Sequence, residues 1–500
     1  MRILLLLVIL GLCDVSAAVA APQQLVILFM NDPHAHYESY QIKGLDGLSG
    51  GFAKAQTVLL QQRLSAKREG AESLSLMAGD LLMGTPFSTY FKGELGSRLL
   101  NMMNFQAMVV GNHEFDYGFA NLIKNVKGNL HMPLLSANIT TSNGDHAFQR
   151  TAVFKLPGLE SKIILIGLTT AETPIATLPS NVHGLDFQDP VAAAREVLKR
   201  ANPEDLIIAL SHLGVEEDKR LASACPLIDV IIGGHSHTAL FQPVVENGVV
   251  ICQAGAYAEY VGRLKISVDK GKVTQHQGEL IRLTPDIPDD ETILSIIRNH
   301  REKLGKCLQD VIGKTTVVLE GARWAVRSDI PTNLGQLIAY LMMKSTGSDA
   351  AIINGGAIRA SIPKGEITRE MVDTVLPFSN TVVRVNLSGE EVAAVILRSY
   401  NLEPNSGGKL QCYGIKVFNT SSGPIVSEIG TRAFDAQATY TVAISDFLAQ
   451  GGDGYLILRE KEKNALNSRL LINDLFTEFI QSHPLITHEL LASILNSRNN

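Results

Sequence analysis

Between residues 25 and 270, six short apolar runs alternate with helical patterns. The runs are LVILFM, LSLM, AMVV, IILIGL, DLIIAL and IDVII, with stretches such as PVAAAREVLKRA between them. Runs of four to six residues are strand-length, and their alternation with helices predicts an α/β layered domain. The chain has 500 residues, too many for one ordinary core, so two domains are expected. A second α/β pattern begins near residue 313, with helices expected over 333–345 and 389–399. Ser388 and Glu391 have capping-box spacing at the start of the latter. Between the two patterns, Asp289 or Asp290 precedes a helical spacing of Ile293, Ile296, Ile297, Leu304 and Leu308. This segment is expected to be a helix joining the domains.

The chemistry lies where the strands stop. LVILFM is followed by Asn31, Asp32, His34 and His36, and LSLM by Gly79 and Asp80. AMVV is followed by Asn112, His113 and Asp116, DLIIAL by His212, and IDVII by GGHSH with His235 and His237. A single His or Asp in a loop usually means a solvated side chain or a turn. Here six of the thirteen histidines fall just beyond five strand ends. The carboxyl edge of an α/β sheet is where ligands bind, so the five clusters are expected to meet in one crevice. Gly79, Gly111, Gly233 and Gly234 stand at the turns, where backbone passes close to a site. Carboxylates and imidazoles without Cys suit Zn, Mn, Fe or Co rather than a structural thiolate zinc. Seven donors exceed the need of one tetrahedral ion and imply two, with one carboxylate between them.

The net charge of −6 excludes a general pull toward nucleic acid or an anionic membrane, so anion recognition must be local. Residues 1–20 combine Arg2, an apolar run and the small residues AVA, the pattern of a secretory signal peptide. The apolar run is shorter than a spanning helix needs, and the polar C-terminus LNSRNN lacks a lipid-anchor signal. The mature protein is expected in the periplasm or secreted, with no stable membrane anchor. Cys225, Cys252, Cys307 and Cys412 remain after export, and their pairing is not legible.

In the order DPH, GD, GNHEFD, H, GGHSH, the chain resembles the binuclear calcineurin-like metallophosphoesterases. With its C-terminal half it resembles the 5′-nucleotidase family, close to the periplasmic UDP-sugar hydrolases. The resemblance implies a catalytic domain over 21–285, a layered β-sandwich flanked by helices. A linker helix over 286–312 and a C-terminal nucleotide-binding α/β domain over 313–500 would follow. It also implies two divalent metal ions, Zn, Mn or Co. One would be held by Asp32, His34 and His237, the other by Asn112, His212 and His235, with Asp80 bridging. His237 stands where the family carries Gln or Asn. His36 and Glu114 would support the ligands. His113 and Asp116 resemble the family's catalytic dyad, acting with a metal-bound hydroxide on a phosphate ester.

The second half offers ARWAVR, INGGAIR, LPFSN and ISDFLAQGGDGY. By the same resemblance Arg323, Arg327 and Arg359 grip phosphate, and Phe378 and Phe447 sandwich a nucleobase. Asn354 and Asn380 meet the base edge, and Asp453 accepts from ribose hydroxyls. The expected partner is thus a small nucleotide rather than a nucleic acid polymer, and the oligomeric state is not legible. Beside the 5′-nucleotidase reading stand a cyclic-nucleotide or sulfur-compound hydrolase on the same scaffold, and a non-catalytic nucleotide-binding protein.

Overall fold

The computed structural model describes residues 23–42, 44–420, 423–461 and 465–495, so the signal-peptide segment lies outside the described residues. The first half is built on two six-stranded sheets. One runs in the order Lys272–Arg282, Tyr260–Asp269, Gln23–Met30, Glu72–Met77, Ala107–Val109, Leu134–Leu135. The other runs Val244–Glu246, Val249–Cys252, Val230–Ile232, Leu206–His212, Ile163–Thr169, Thr151–Phe154.

Two faces of each central strand are buried, which is why their sequences are apolar at nearly every position. From Gln23–Met30, Leu25, Ile27 and Phe29 enter a core with Ile208, Leu210 and Val230 of the opposite sheet. Val26, Leu28 and Met30 face a helical layer containing Val58, Leu59 and Leu99. In the second sheet Ile207 and Ala209 turn outward onto Val191, Ala194 and Leu221 of two covering helices. The result is the expected sandwich, with sheet on sheet inside and helices outside.

Direction matters more than layer count. Gln23–Met30, Glu72–Met77 and Ala107–Val109 run parallel. So do Ile163–Thr169, Leu206–His212, Val230–Ile232 and Val249–Cys252. At their carboxyl edge Thr169 Oγ1 crosses between sheets to donate to the Val110 carbonyl at 2.7 Å. All these strand ends therefore discharge into one crevice.

Helix Glu291–Leu304 is capped by Asp290, whose side chain accepts from the Ile293 amide. Its Ile293, Ile296, Ile297 and Leu304 join the helical layer of the first sheet. From this helix Arg301 pairs with Glu38 before it and with Glu370 beyond it, the latter at 2.6 Å.

The second half centres on a five-stranded sheet, Leu410–Tyr413, Ala350–Asn354, Thr439–Ser445, Thr381–Ser388, Leu466–Leu471. Helices Asn333–Thr346 and Ile472–Ser482 cover one face through Leu337, Ile338, Phe476 and Ile480. Helix Gly389–Asn401 covers the other through Val392, Val395 and Ile396, and its capping box is complete. Cys225, Cys252 and Cys412 are free thiols. Cys252 lies in the sandwich core and Cys225 under the outer helices, too embedded to serve as exposed cross-links. Among the described residues no helix is long and apolar enough to cross a membrane.

Candidate active site

Asp32, His34, Asp80, His235 and His237 all have positive φ, from 47° to 80°. Such backbone is costly for residues with a Cβ and persists where surrounding contacts impose it, commonly at functional sites. The imposing contacts are visible. Asp32 Oδ2 accepts from the Asn31 side chain at 2.7 Å and from the His235 amide at 2.9 Å. Gly79 must be glycine, because its φ is 84° and a Cβ there would sit 2.6 Å from His212 Nδ1.

Two groups of metal-type donors result, Asp32–His34–His237 and Asp80–His212–His235. A third, His34–Asp80–His113, lies between them. Asp80 is the natural shared member: its Oδ2 lies 3.1 Å from His212 Nε2 and 3.8 Å from His34 Nε2. Asn112 joins at the same edge, nearly fully buried.

The donor set fits divalent cations. His212 Nδ1 donates to the Ala78 carbonyl at 2.7 Å, and His34 Nδ1 donates to that of Leu82 at 3.0 Å. Each ring therefore presents the lone pair of Nε2 to the carboxylates. Asp32 Oδ1, Asn112 Oδ1 and His212 Nε2 are buried without a hydrogen-bond partner. Buried acceptors facing one another call for a cation. Burial lowers His212, yet Asp80 and Asp32 overcome it and lift this imidazole to about 10, the protonic form of the same demand. Burial holds His235 down at about 4, and burial with the neighbouring His237 holds His34 well below its ordinary value. Both are neutral imidazoles, as ligands must be, and His34 Nε2 lies 2.9 Å from Nε2 of His237, its neighbour in the same donor group.

His113 and Asp116 form the expected pair, with His113 Nδ1 donating to Asp116 Oδ2 at 2.5 Å. That leaves the His113 Nε2 edge facing the crevice. Glu114 supports the loops: its carboxylate accepts from the amides of Gly111 at 2.7 Å, Asp80 at 3.0 Å and Leu81 at 2.7 Å. Burial, then the charge of Asp80, pushes Glu114 up to about 7. His36 sits one layer out, its Nδ1 donating to the His34 carbonyl at 3.0 Å and its ring packed against Tyr257.

From the second half, Phe378 places its ring 6.3 Å from that of His113, and Arg359 lies over Phe378 at 5.9 Å. The charges of Arg323 and Arg359 both bear on His237. Arg327 is buried, and burial with the charges of Arg323 and Arg359 holds it well below its ordinary value. Arg327 Nε and Arg359 Nη2 are buried without partners. Asn354 donates to Asp453 Oδ2 at 2.9 Å, leaving its own Oδ1 unpartnered. Phe447 is only 8% exposed and packs over Gly452, and no ring contact joins it to Phe378 among the described residues. The Asn380 backbone carbonyl accepts from the Ile472 amide at 3.0 Å.

Sequence reasoning passed over Gln253. It follows the strand Val249–Cys252 at the same edge, and the signal was the run VVIC ending in a polar residue. Its Nε2 donates to the Gly234 carbonyl at 2.8 Å, and its Oε1 accepts from the Thr238 amide at 2.6 Å and from Ser236 Oγ at 2.8 Å. One buried side chain thus clamps the loop carrying His235 and His237.

Family models match both halves of the chain. Residues 25–239 match the calcineurin-like phosphoesterase family and residues 311–460 match the 5′-nucleotidase C-terminal domain. The chain is 32% identical to the 5′-nucleotidase of Vibrio cholerae over 483 residues, covering 86% of each. It is 31% identical to protein UshA of Escherichia coli over 515 residues, covering 92% of each. The solved structure of a 5′-nucleotidase precursor from Thermus thermophilus superimposes with a TM-score of 0.82 at 29% identity, covering 93% of this chain and 97% of that one. The chain belongs to the 5′-nucleotidase family of calcineurin-like metallophosphoesterases and is a phosphoester hydrolase.

Proposed function

We propose that the protein is an exported hydrolase releasing phosphate from nucleoside 5′-monophosphates, with di- and triphosphates and nucleotide sugars as further substrates. The signal-like segment 1–20 supports export. Asp32, His34 and His237 would hold one divalent ion, Asn112, His212 and His235 the second, and Asp80 would serve both. Bound there, the ions would polarise the phosphoryl oxygens and supply a water nucleophile near neutral pH.

The chain's own residues do the rest. Arg323, Arg327 and Arg359 bind the phosphate oxygens, for which a planar guanidinium is suited. Phe378 and Phe447 bind the base, Asn354 and Asn380 its edge, and Asp453 the ribose. His113 donates a proton from Nε2 to the departing ester oxygen, while Asp116 stabilises and orients the ring. The observation that carries this reading is the convergence of three guanidiniums, two with unpartnered nitrogens, and the Phe378 ring on the donor groups. Crowded cations call for an anion, and an aromatic face beside them for a base.

The test is phosphate release by purified mature protein from AMP, ADP, ATP and UDP-glucose, with metals stripped and then restored singly. Metal-dependent release from AMP is expected. Release from cyclic nucleotides or sulfur esters in its place, or no release at all, would replace this reading with one of the alternatives.

A further inference from the structure

Asp116 is held by more than His113. Its Oδ2 takes the imidazole, and its Oδ1 accepts from Thr177 Oγ1 at 2.7 Å. The Asn181 side chain donates to the Asp116 carbonyl at 2.8 Å. Thr177 is 2% exposed, so water does not replace its hydroxyl.

Thr177 sits on a segment that is itself anchored on three sides. Where it leaves the strand Ile163–Thr169, the Thr170 amide donates to the carbonyl of His212 at 3.0 Å. Thr173 Oγ1 then donates to the Thr170 carbonyl at 2.7 Å and opens the short helix Thr173–Ala176. Leu178, directly after Thr177, turns its side chain to the second half. It packs against the second-half cluster containing Phe447, Leu448, Tyr455 and Leu458. Ile175 Cδ1 approaches Gly454, within 3.8 Å of where a Cβ would stand. Adjacent residues thus touch the dyad carboxylate and the nucleotide-binding half.

We propose that Thr177 is a positioning residue for the His113–Asp116 pair, and that the C-terminal half holds it in place through Leu178. The inference rests on the dyad reading above. With both carboxylate oxygens occupied, Asp116 has one orientation, and so has the imidazole that must meet the leaving oxygen. The hydroxyl is buried and spent on Asp116, so its loss should lower turnover and leave binding unchanged.

The experiment compares metal-loaded full-length protein with Thr177→Val, Thr177→Ser, Leu178→Ala and His113→Ala on AMP, measuring kcat, KM and bound metal. Valine keeps the shape and removes the donor; serine restores it. Thr177→Val should lose about tenfold to a hundredfold in kcat, the range of a hydrogen bond to a charged group, with KM within about twofold and metal content unchanged. Thr177→Ser should recover to within about threefold of wild type, and Leu178→Ala should lower kcat in the same sense. Wild-type kcat in Thr177→Val, or a serine variant as impaired as the valine one, overturns the positioning role. An unaffected Leu178→Ala overturns the coupling. Turnover that His113→Ala abolishes and Thr177→Val leaves intact sinks this inference alone, whereas turnover indifferent to His113→Ala sinks the dyad reading beneath it.

Discussion

The backbone amide of His113 donates to Asp80 Oδ1 at 3.0 Å, so the dyad loop is tied to the carboxylate that faces both donor groups. The tie uses the backbone amide and survives truncation of the His113 side chain to Ala. His113→Ala should therefore retain its metal complement while losing about 10²–10⁴-fold in kcat, the range of a general acid. Metal analysis beside AMP turnover checks both halves. Lost metal, or near-native turnover, would speak against the assignment.

The two phenylalanines should not behave alike. Phe378 is half-buried beside His113 and Arg359, whereas Phe447 is 8% exposed within an apolar cluster. Phe378→Ala should raise KM for AMP about fivefold to a hundredfold, as expected for one base stack of about 1–3 kcal/mol, with little change in Tm. Phe447→Ala should also lower Tm, because removing a core Phe costs about 3–5 kcal/mol. Steady-state kinetics and thermal melts on the single variants separate the two effects.

The runs that could be read as strands were those buried on both faces. LVILFM is apolar throughout because Leu25, Ile27 and Phe29 meet one core while Val26, Leu28 and Met30 meet another. The donor residues were legible because each follows such a run directly. Supports arriving from elsewhere were not: Thr177 and Asn181 reach Asp116 from 61 and 65 residues away, and their own surroundings carry no periodic signal. Gln253 was missed because an amide after VVIC looks like any turn until the loop it clamps is present. The helical spacing of Ile293, Ile296 and Ile297 was plain, but spacing does not say which body that face meets. It meets the helical layer of the first sheet.

Asp453 gives a pH signature away from the metal-type residues. Its carboxyl is pushed up from 3.8 to about 6, chiefly by burial, against the pull of Arg327 and Asn354. A folded-state value above the unfolded one means that the folded protein holds this proton more tightly. The group therefore favours folding at low pH, and that contribution is lost as pH rises from about 4 through about 6. Asp453→Asn removes the slope, and Asn tolerates the φ of 51° found there. Urea midpoints should show the variant gaining on wild type at pH 7 and matching it at pH 4.5. A difference independent of pH would mean that Asp453 does not titrate in this window.

Gln253 holds the loop of His235 and His237 at three points. Both histidines hold left-handed backbone, at φ of 80° and 60°, and a loop so strained relaxes when its restraints go. Gln253 supplies three of those restraints, one before His235, one at Ser236 between the histidines and one after His237. Gln253→Leu keeps much of the volume but strands the Thr238 amide, at a cost of about 1–3 kcal/mol, and leaves the Gly234 carbonyl only the Ser236 amide at 3.1 Å. Groups that orient metal ligands typically contribute 10–100-fold in affinity, so Gln253→Leu should weaken metal binding by about that factor. Titrating metal into the stripped protein while following Tm reads this directly, because an ion that binds only the folded state raises Tm according to its affinity. The variant's Tm should rise at about 10–100-fold higher metal than wild type. An unshifted titration curve on a merely less stable protein would assign Gln253 to the core and not to the centre.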